Sequence, residues 1–114
     1  MALKSLLDAV KLKEEIVALP ELGEGAEAII REMGGKRSVA FYTEVKGKEL
    51  SNAEYMLHLI VASFVDDKGN QLHTFDEVPQ LHDALPMSAI NKLATACNLV
   101  NGFSEKTDAK KNEK

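Results

Sequence analysis

Cysteine occurs once in this sequence, at Cys97, so no intramolecular disulfide framework can exist and a reducing compartment is expected. Long apolar runs are also missing. Nothing approaches the about 18 uninterrupted apolar residues that a bilayer-spanning helix needs, so no membrane association is expected. The first fifteen residues, MALKSLLDAVKLKEE, have neither the apolar stretch nor the small-residue cleavage site of a signal peptide. Basic charge is in deficit: 14 Lys and Arg stand against 18 Asp and Glu, a formal net charge of −4. The last ten residues hold four Lys and three acidic residues, so the acidity belongs to the chain before them. Such a surface does not favour nucleic-acid phosphates, which are bound by clustered Lys and Arg. No nucleic-acid partner is expected.

Catalytic and metal-binding patterns are lacking as well. The three histidines, His58, His73 and His82, stand at no metal-ligand spacing from one another or from Cys97. His58 falls inside an apolar segment and reads as a structural histidine. Cys97 sits on an apolar helical stripe and reads as a packed thiol. Asp66-Asp67-Lys68-Gly69-Asn70 has the start of a calcium loop without the twelve-residue ligand pattern or its closing glutamate, so it reads as a turn. Gly23-Glu24-Gly25 and Gly34-Gly35-Lys36 lack the spacing and the Ser or Thr of a phosphate loop. Asp76-Glu77 reads as a helix start, where acidic residues meet the positive end of the dipole. No nucleophile, base and oxyanion site come together. The expectation is a protein without catalytic, cofactor or metal residues, hence not an enzyme and without a cofactor.

What is present is a single-domain chain of 114 residues with ordinary apolar and charged fractions and no internal repeat. Leu3, Leu6, Leu7 and Val10 have helical spacing, so residues 3–12 are expected to form an amphipathic helix. Glu14–Leu19 and Glu27–Met33 flank the turn-rich PELGEG and read as a β-hairpin, with a helix over 26–32 as the rival for the second segment. Residues 36–45 suit a helix with Val39, Tyr42 and Val45 on one side. Ser51-Asn52-Ala53-Glu54 has the form of a capping box, and the almost wholly apolar Tyr55–Val65 behind it is the central helix. It must be enclosed by its own domain or by a partner. Residues 71–75 read as a short strand or an extended link. Thr74-Phe75-Asp76-Glu77 repeats the box and opens a short helix broken near Pro79 or Pro86; Pro86 suits the first turn of the last helix. There Ile90, Leu93, Ala94, Cys97 and Val100 or Asn101 form the apolar stripe, ended by Gly102. The expected core includes Leu57, Ile60, Val61, Phe64, Ile90, Leu93 and Cys97. Residues 105–114 hold no large apolar side chain, cannot offset the entropy of ordering, and read as a disordered tail. The fold class is α+β: a mainly helical single domain over 1–104 with a small N-terminal β-hairpin and a disordered C-terminal tail.

The order of segments goes further than their composition. A Leu-rich start leads to Glu15-Ile16-Val17-Ala18-Leu19-Pro20-Glu21-Leu22-Gly23, then Ile29-Ile30-Arg31-Glu32-Met33, then a Gly-Lys-Arg step into a helix with Ala40-Phe41. Leu59 to Gly69 runs from helix into turn, Phe75 precedes an acidic helix, and Asn91-Lys92-Leu93 to Leu99–Ser104 closes the domain. Over residues 3–104 this layout resembles the tail assembly chaperones of long-tailed (siphovirus) bacteriophages. The resemblance implies a non-enzymatic protein of the host cell cytoplasm, absent from the mature virion, that coats the tape-measure protein and helps recruit tail-tube subunits. It also implies self-association into oligomers or spirals, with the run Tyr55–Val65 and the hairpin as candidate surfaces. A longer form made by ribosomal frameshifting is implied too. Lys110-Lys111-Asn112 can be encoded as a slippery AAA-AAA-AAC. A small structural virion protein of the head–tail or tail region is the alternative.

Overall fold

A computed structural model describes residues 2–103. The expected tail over 105–114 lies outside the described residues. Helices dominate, with a small antiparallel sheet built on the N-terminal hairpin, as the α+β reading requires.

The hairpin forms where expected. Strands β1 (Glu14–Ala18) and β2 (Glu27–Arg31) pair with Ile16 opposite Ile29, and the loop between them holds a 3-10 turn at Pro20–Leu22. The helical alternative for residues 26–32 is set aside. Ala28 and Ile30 alternate with Glu27, Ile29 and Arg31, and only the former two are buried, a period of two that a strand satisfies. The sheet has a third member that the sequence reading assigned to the central helix. Helix α3 (Asn52–Ser63) stops two residues early, and β3 (Phe64–Val65) pairs with β2 through Ile30 and Ile29. The open edge of β2 offers backbone partners that a last half-turn of helix would not, and Asp66–Asn70 then turns the chain. The Asp66 carboxylate accepts from the Lys68 and Asn70 amides at 2.8 and 2.9 Å.

The α3 start is made locally. Ser51 Oγ accepts from the Glu54 amide at 3.1 Å while the Glu54 carboxylate accepts from the Ser51 N–H at 2.8 Å. From Leu57 to Ser63 every side chain is buried. This helix is enclosed by the domain itself, between α5 (Met87–Val100) on one side and α2 (Gly35–Val45) and α4 (Val78–Ala84) on others. Pro79 lies in the first turn of α4 and breaks nothing; Pro86 caps α5 instead of occupying its first turn.

Two helical stripes were misplaced. In α2 the buried residue is Phe41, fully enclosed and edge-on to Tyr42 and Tyr55 at 5.1 and 5.6 Å between ring centres. Val39 and Tyr42 face outward, because the wholly apolar Phe41 ring takes the buried space over α3 and leaves the Tyr42 hydroxyl to solvent. The helix expected over 3–12 shrinks to one turn, α1 (Leu6–Ala9), capped by Ser5 and burying nothing. An isolated helix of that length is marginal in water without a surface to lie on.

The core otherwise agrees with expectation. Leu57, Ile60, Val61, Ile90, Leu93 and Cys97 are buried, and Phe64 packs half-buried against them. Fully burying a side chain of this size contributes about 1.5–3 kcal/mol relative to leaving it exposed. The sheet rests on α5 and α3, so its marginal two-stranded hairpin is held by tertiary contact. Asn101, at the C-terminus of α5, ties the two layers. Its Oδ1 accepts from the Met33 amide just past β2 at 2.8 Å, and its Nδ2 donates to the Cys97 carbonyl and to buried Ser63 Oγ at 2.9 and 3.2 Å.

Candidate protein-interaction site

Most of the run Tyr55–Val65 is not available as a surface, since Leu57 to Ser63 lie inside the domain, although Tyr55 at its start is 39% exposed. Exposed apolar surface is found elsewhere. The N-terminal arm exposes Leu3, Leu6, Leu7, Val10 and Leu12, with Leu7 at 88%. Ile16 on β1 is 61% exposed and Leu99 on α5 is 49% exposed. Scattered exposed leucines are ordinary; several within ten residues make a candidate interaction surface.

Leu99 borders a groove whose other wall is the β1 edge at Ile16, the Ile16 side chain standing on the opposite sheet face from core-packed Val17. The groove measures about 400 Å³ and runs between β1 (Glu15, Ile16, Val17) and α5 (Thr95, Ala96, Leu99), with Asn91 and Lys92 at one end. The β1 side is a free sheet edge. Glu32 N–H donates to the Lys13 carbonyl and Leu19 N–H to the Ala26 carbonyl, at 2.8 and 2.9 Å. By the alternation of an antiparallel pair, the amides and carbonyls of Glu14, Ile16 and Ala18 then point away from β2. At the Lys92 end, Glu21 of the hairpin loop accepts from Ser88 Oγ at 2.7 Å and from Lys92 Nζ at 3.0 Å. Its own backbone amide, then Ser88, then Lys92 hold the Glu21 carboxyl at about 2.

Three of the residues considered for chemistry, His58, His73 and Cys97, make contacts within the fold. His58 is buried, hydrogen-bonds through Nδ1 to the Glu54 carbonyl at 2.8 Å and stacks on Phe75. His73 stacks on Phe64 and meets Glu77 at 3.1 Å, while the Glu77 carboxylate also accepts from the Thr74 amide at 2.9 Å. Cys97 is fully buried, and burial pushes its thiol up to about 12. His58 and His82 border the same shallow hollow, but among the described residues no cluster of three or more His, Cys, Asp or Glu could hold a metal ion. No helix among them is long and apolar enough to cross a membrane.

No protein-family model matches the chain, and no curated protein does. Among solved structures it is similar to the bacteriophage HK97 tail assembly chaperone, with a TM-score of 0.55 and 22% sequence identity. The match covers 79% of this chain and 87% of the other. The two proteins share a fold. The tail assembly chaperone fold implied by the order of sequence segments is therefore the one found. Within that fold, sequence reasoning missed the groove. The hairpin that holds Ile16 was read as a candidate surface, but its partner wall on α5 was not; Leu99, an off-stripe leucine on an otherwise amphipathic helix, is the signal that marked it.

Proposed function

We propose that the protein is a phage tail assembly chaperone, working by binding other proteins and not by catalysis. The observation that carries this reading is the shared fold, at a TM-score of 0.55 over most of both chains. The acidic balance and the exposed apolar arm and groove suit a protein that covers a long apolar helical chain. In this reading the partner is the tape-measure protein, the protein self-associates along it, and a longer frameshifted form brings in tail-tube subunits. It acts in the host cytoplasm and is left out of the finished virion.

Co-expression with the product of the long coiled-coil-rich reading frame expected just downstream tests the central claim. The two should co-purify, and that product should precipitate when expressed alone. A product equally soluble alone, with no co-purification, would sink the reading; recovery of this chain from purified virions in stoichiometric amount would favour a structural tail component. The frameshift is checked in the nucleotides. Other codons at Lys110 to Asn112, with no slippery run elsewhere in the last stretch of the gene, would remove it.

A further inference from the structure

We infer that the N-terminal arm of one molecule docks, as a helix, in the β1–α5 groove of a second copy, so that each chain offers one arm and one groove. This rests on the chaperone reading only for its purpose. The docking itself follows from four features of the molecule.

The arm is built for a partner that its own domain does not supply. Leu3, Leu6, Leu7 and Val10 keep helical spacing, yet only one turn is formed and every one of them is more than half exposed. A ten-residue helix would be about 15 Å long. Asn91 to Leu99, along the groove wall, rises about 12 Å by the same measure. The lengths match.

Charge fits as well. The arm with Lys13 carries three lysines and one aspartate. In the groove, Lys92 is taken up by Glu21, whereas Glu15 has no ion-pair partner among the described residues. The unmatched charge of the groove is negative and that of the arm positive.

The arm cannot conveniently fill its own groove. Lys13 is fixed as a continuation of β1, its carbonyl accepting from Glu32 N–H at 2.8 Å and its amide donating to the Glu32 carboxylate at 3.0 Å. Leu12 lies beside Gly34 and Gly35 at the start of α2, so the arm leaves the domain there. Covering Ile16 in the same molecule would require a full reversal within Lys11 and Leu12, with no glycine or proline to make it. Arm and groove are also different surfaces, and a head-to-tail contact that does not close generates an open chain of molecules.

The test uses complementary variants of the full chain in equilibrium sedimentation, each first shown by circular dichroism and melting to be folded. One variant lacks residues 2–12. The other carries Thr95→Arg and Leu99→Lys, both at exposed positions on the α5 wall of the groove; Thr95→Arg alone serves in its place if that pair melts early. The unmodified chain should show a mass that rises with concentration beyond two chains. Each variant alone should remain a monomer. Their equal mixture should stop at a dimer, because it holds only one usable arm and one usable groove. Association that survives loss of the arm, or a mixture that stays monomeric, overturns the inference. Co-purification with the tape-measure product is scored separately. A monomer that still binds it overturns arm docking alone, and an assembling chain that fails to bind it supports arm docking while overturning the chaperone reading.

Discussion

Replacing Asn101 by Ala removes a carboxamide that joins the sheet to the helical layer. Three hydrogen bonds are lost, but they do not weigh equally. The Cys97 carbonyl keeps a partner, since it also accepts from the Asn101 backbone amide at 3.0 Å. Ser63 Oγ is fully buried but was 3.2 Å from its donor, and its hydroxyl can rotate. The Met33 amide, on a residue only 8% exposed, loses its acceptor at 2.8 Å. Leaving one buried donor unpaired costs about 1–3 kcal/mol. With the smaller Ser63 contribution, the loss should be about 2 kcal/mol, or roughly 10 °C in melting temperature for a domain of this size. Urea denaturation followed by far-ultraviolet circular dichroism measures it. Asn91→Ala is the control, because Asn91 is exposed on the same helix and its side chain makes no hydrogen bond among the described residues; it should stay within about 0.5 kcal/mol. An Asn101→Ala loss no larger than the control would refute the idea that this side chain ties the layers.

Ile60→Ala and Leu93→Ala should each destabilise by about 2–5 kcal/mol, because both side chains are buried and already border an apolar cavity of about 80 Å³; unchanged melting of both variants would mean the core is elsewhere. The Glu21 carboxyl, held at about 2 against an ordinary 4.5, contributes stability that is complete above pH 4.5 and is lost as pH falls from there toward 2. The stability gap between the protein and Glu21→Gln should therefore close over that window, and a gap independent of pH would contradict the Ser88 and Lys92 contacts. Cys97, with its thiol pushed up to about 12, should resist a disulfide reagent at pH 8 until urea unfolds the chain; rapid stoichiometric labelling of folded protein would show that the α5 face is open.

The Ser51 box and the PELGEG turn were legible because their causes lie within a few residues. A serine oxygen reaches the amide three residues on whatever surrounds it. β3 was not legible for the opposite reason. Phe64 and Val65 extend the apolar run of α3 with no glycine or proline before them, and only the open edge of β2, more than thirty residues earlier in the chain, draws them out of the helix. Phe41 against Tyr42 poses the same difficulty in α2. Both are aromatic and adjacent, and the choice of which is buried is made by the surface of α3 and not by helical spacing.

The candidate site was harder still, and the reason lies in what such a site is made of. A metal or catalytic centre needs particular donors at particular spacings, so its residue types carry information before the chain folds. A groove for an apolar helix needs only aliphatic side chains that happen to be uncovered. Leu93 and Leu99 sit on the same helix, and Leu93 is 5% exposed while Leu99 is 49% exposed. Helical spacing sets Leu93 on the apolar stripe and Leu99 off it, but spacing does not say what an off-stripe leucine stands beside. Leu93 faces α3 and the underside of the hairpin, whereas Leu99 stands near the β1 edge of the sheet, beyond which no further strand lies among the described residues. Exposure at these positions is a property of the tertiary packing, and so the groove could be found only once β1 and α5, some eighty residues apart in the chain, were placed side by side.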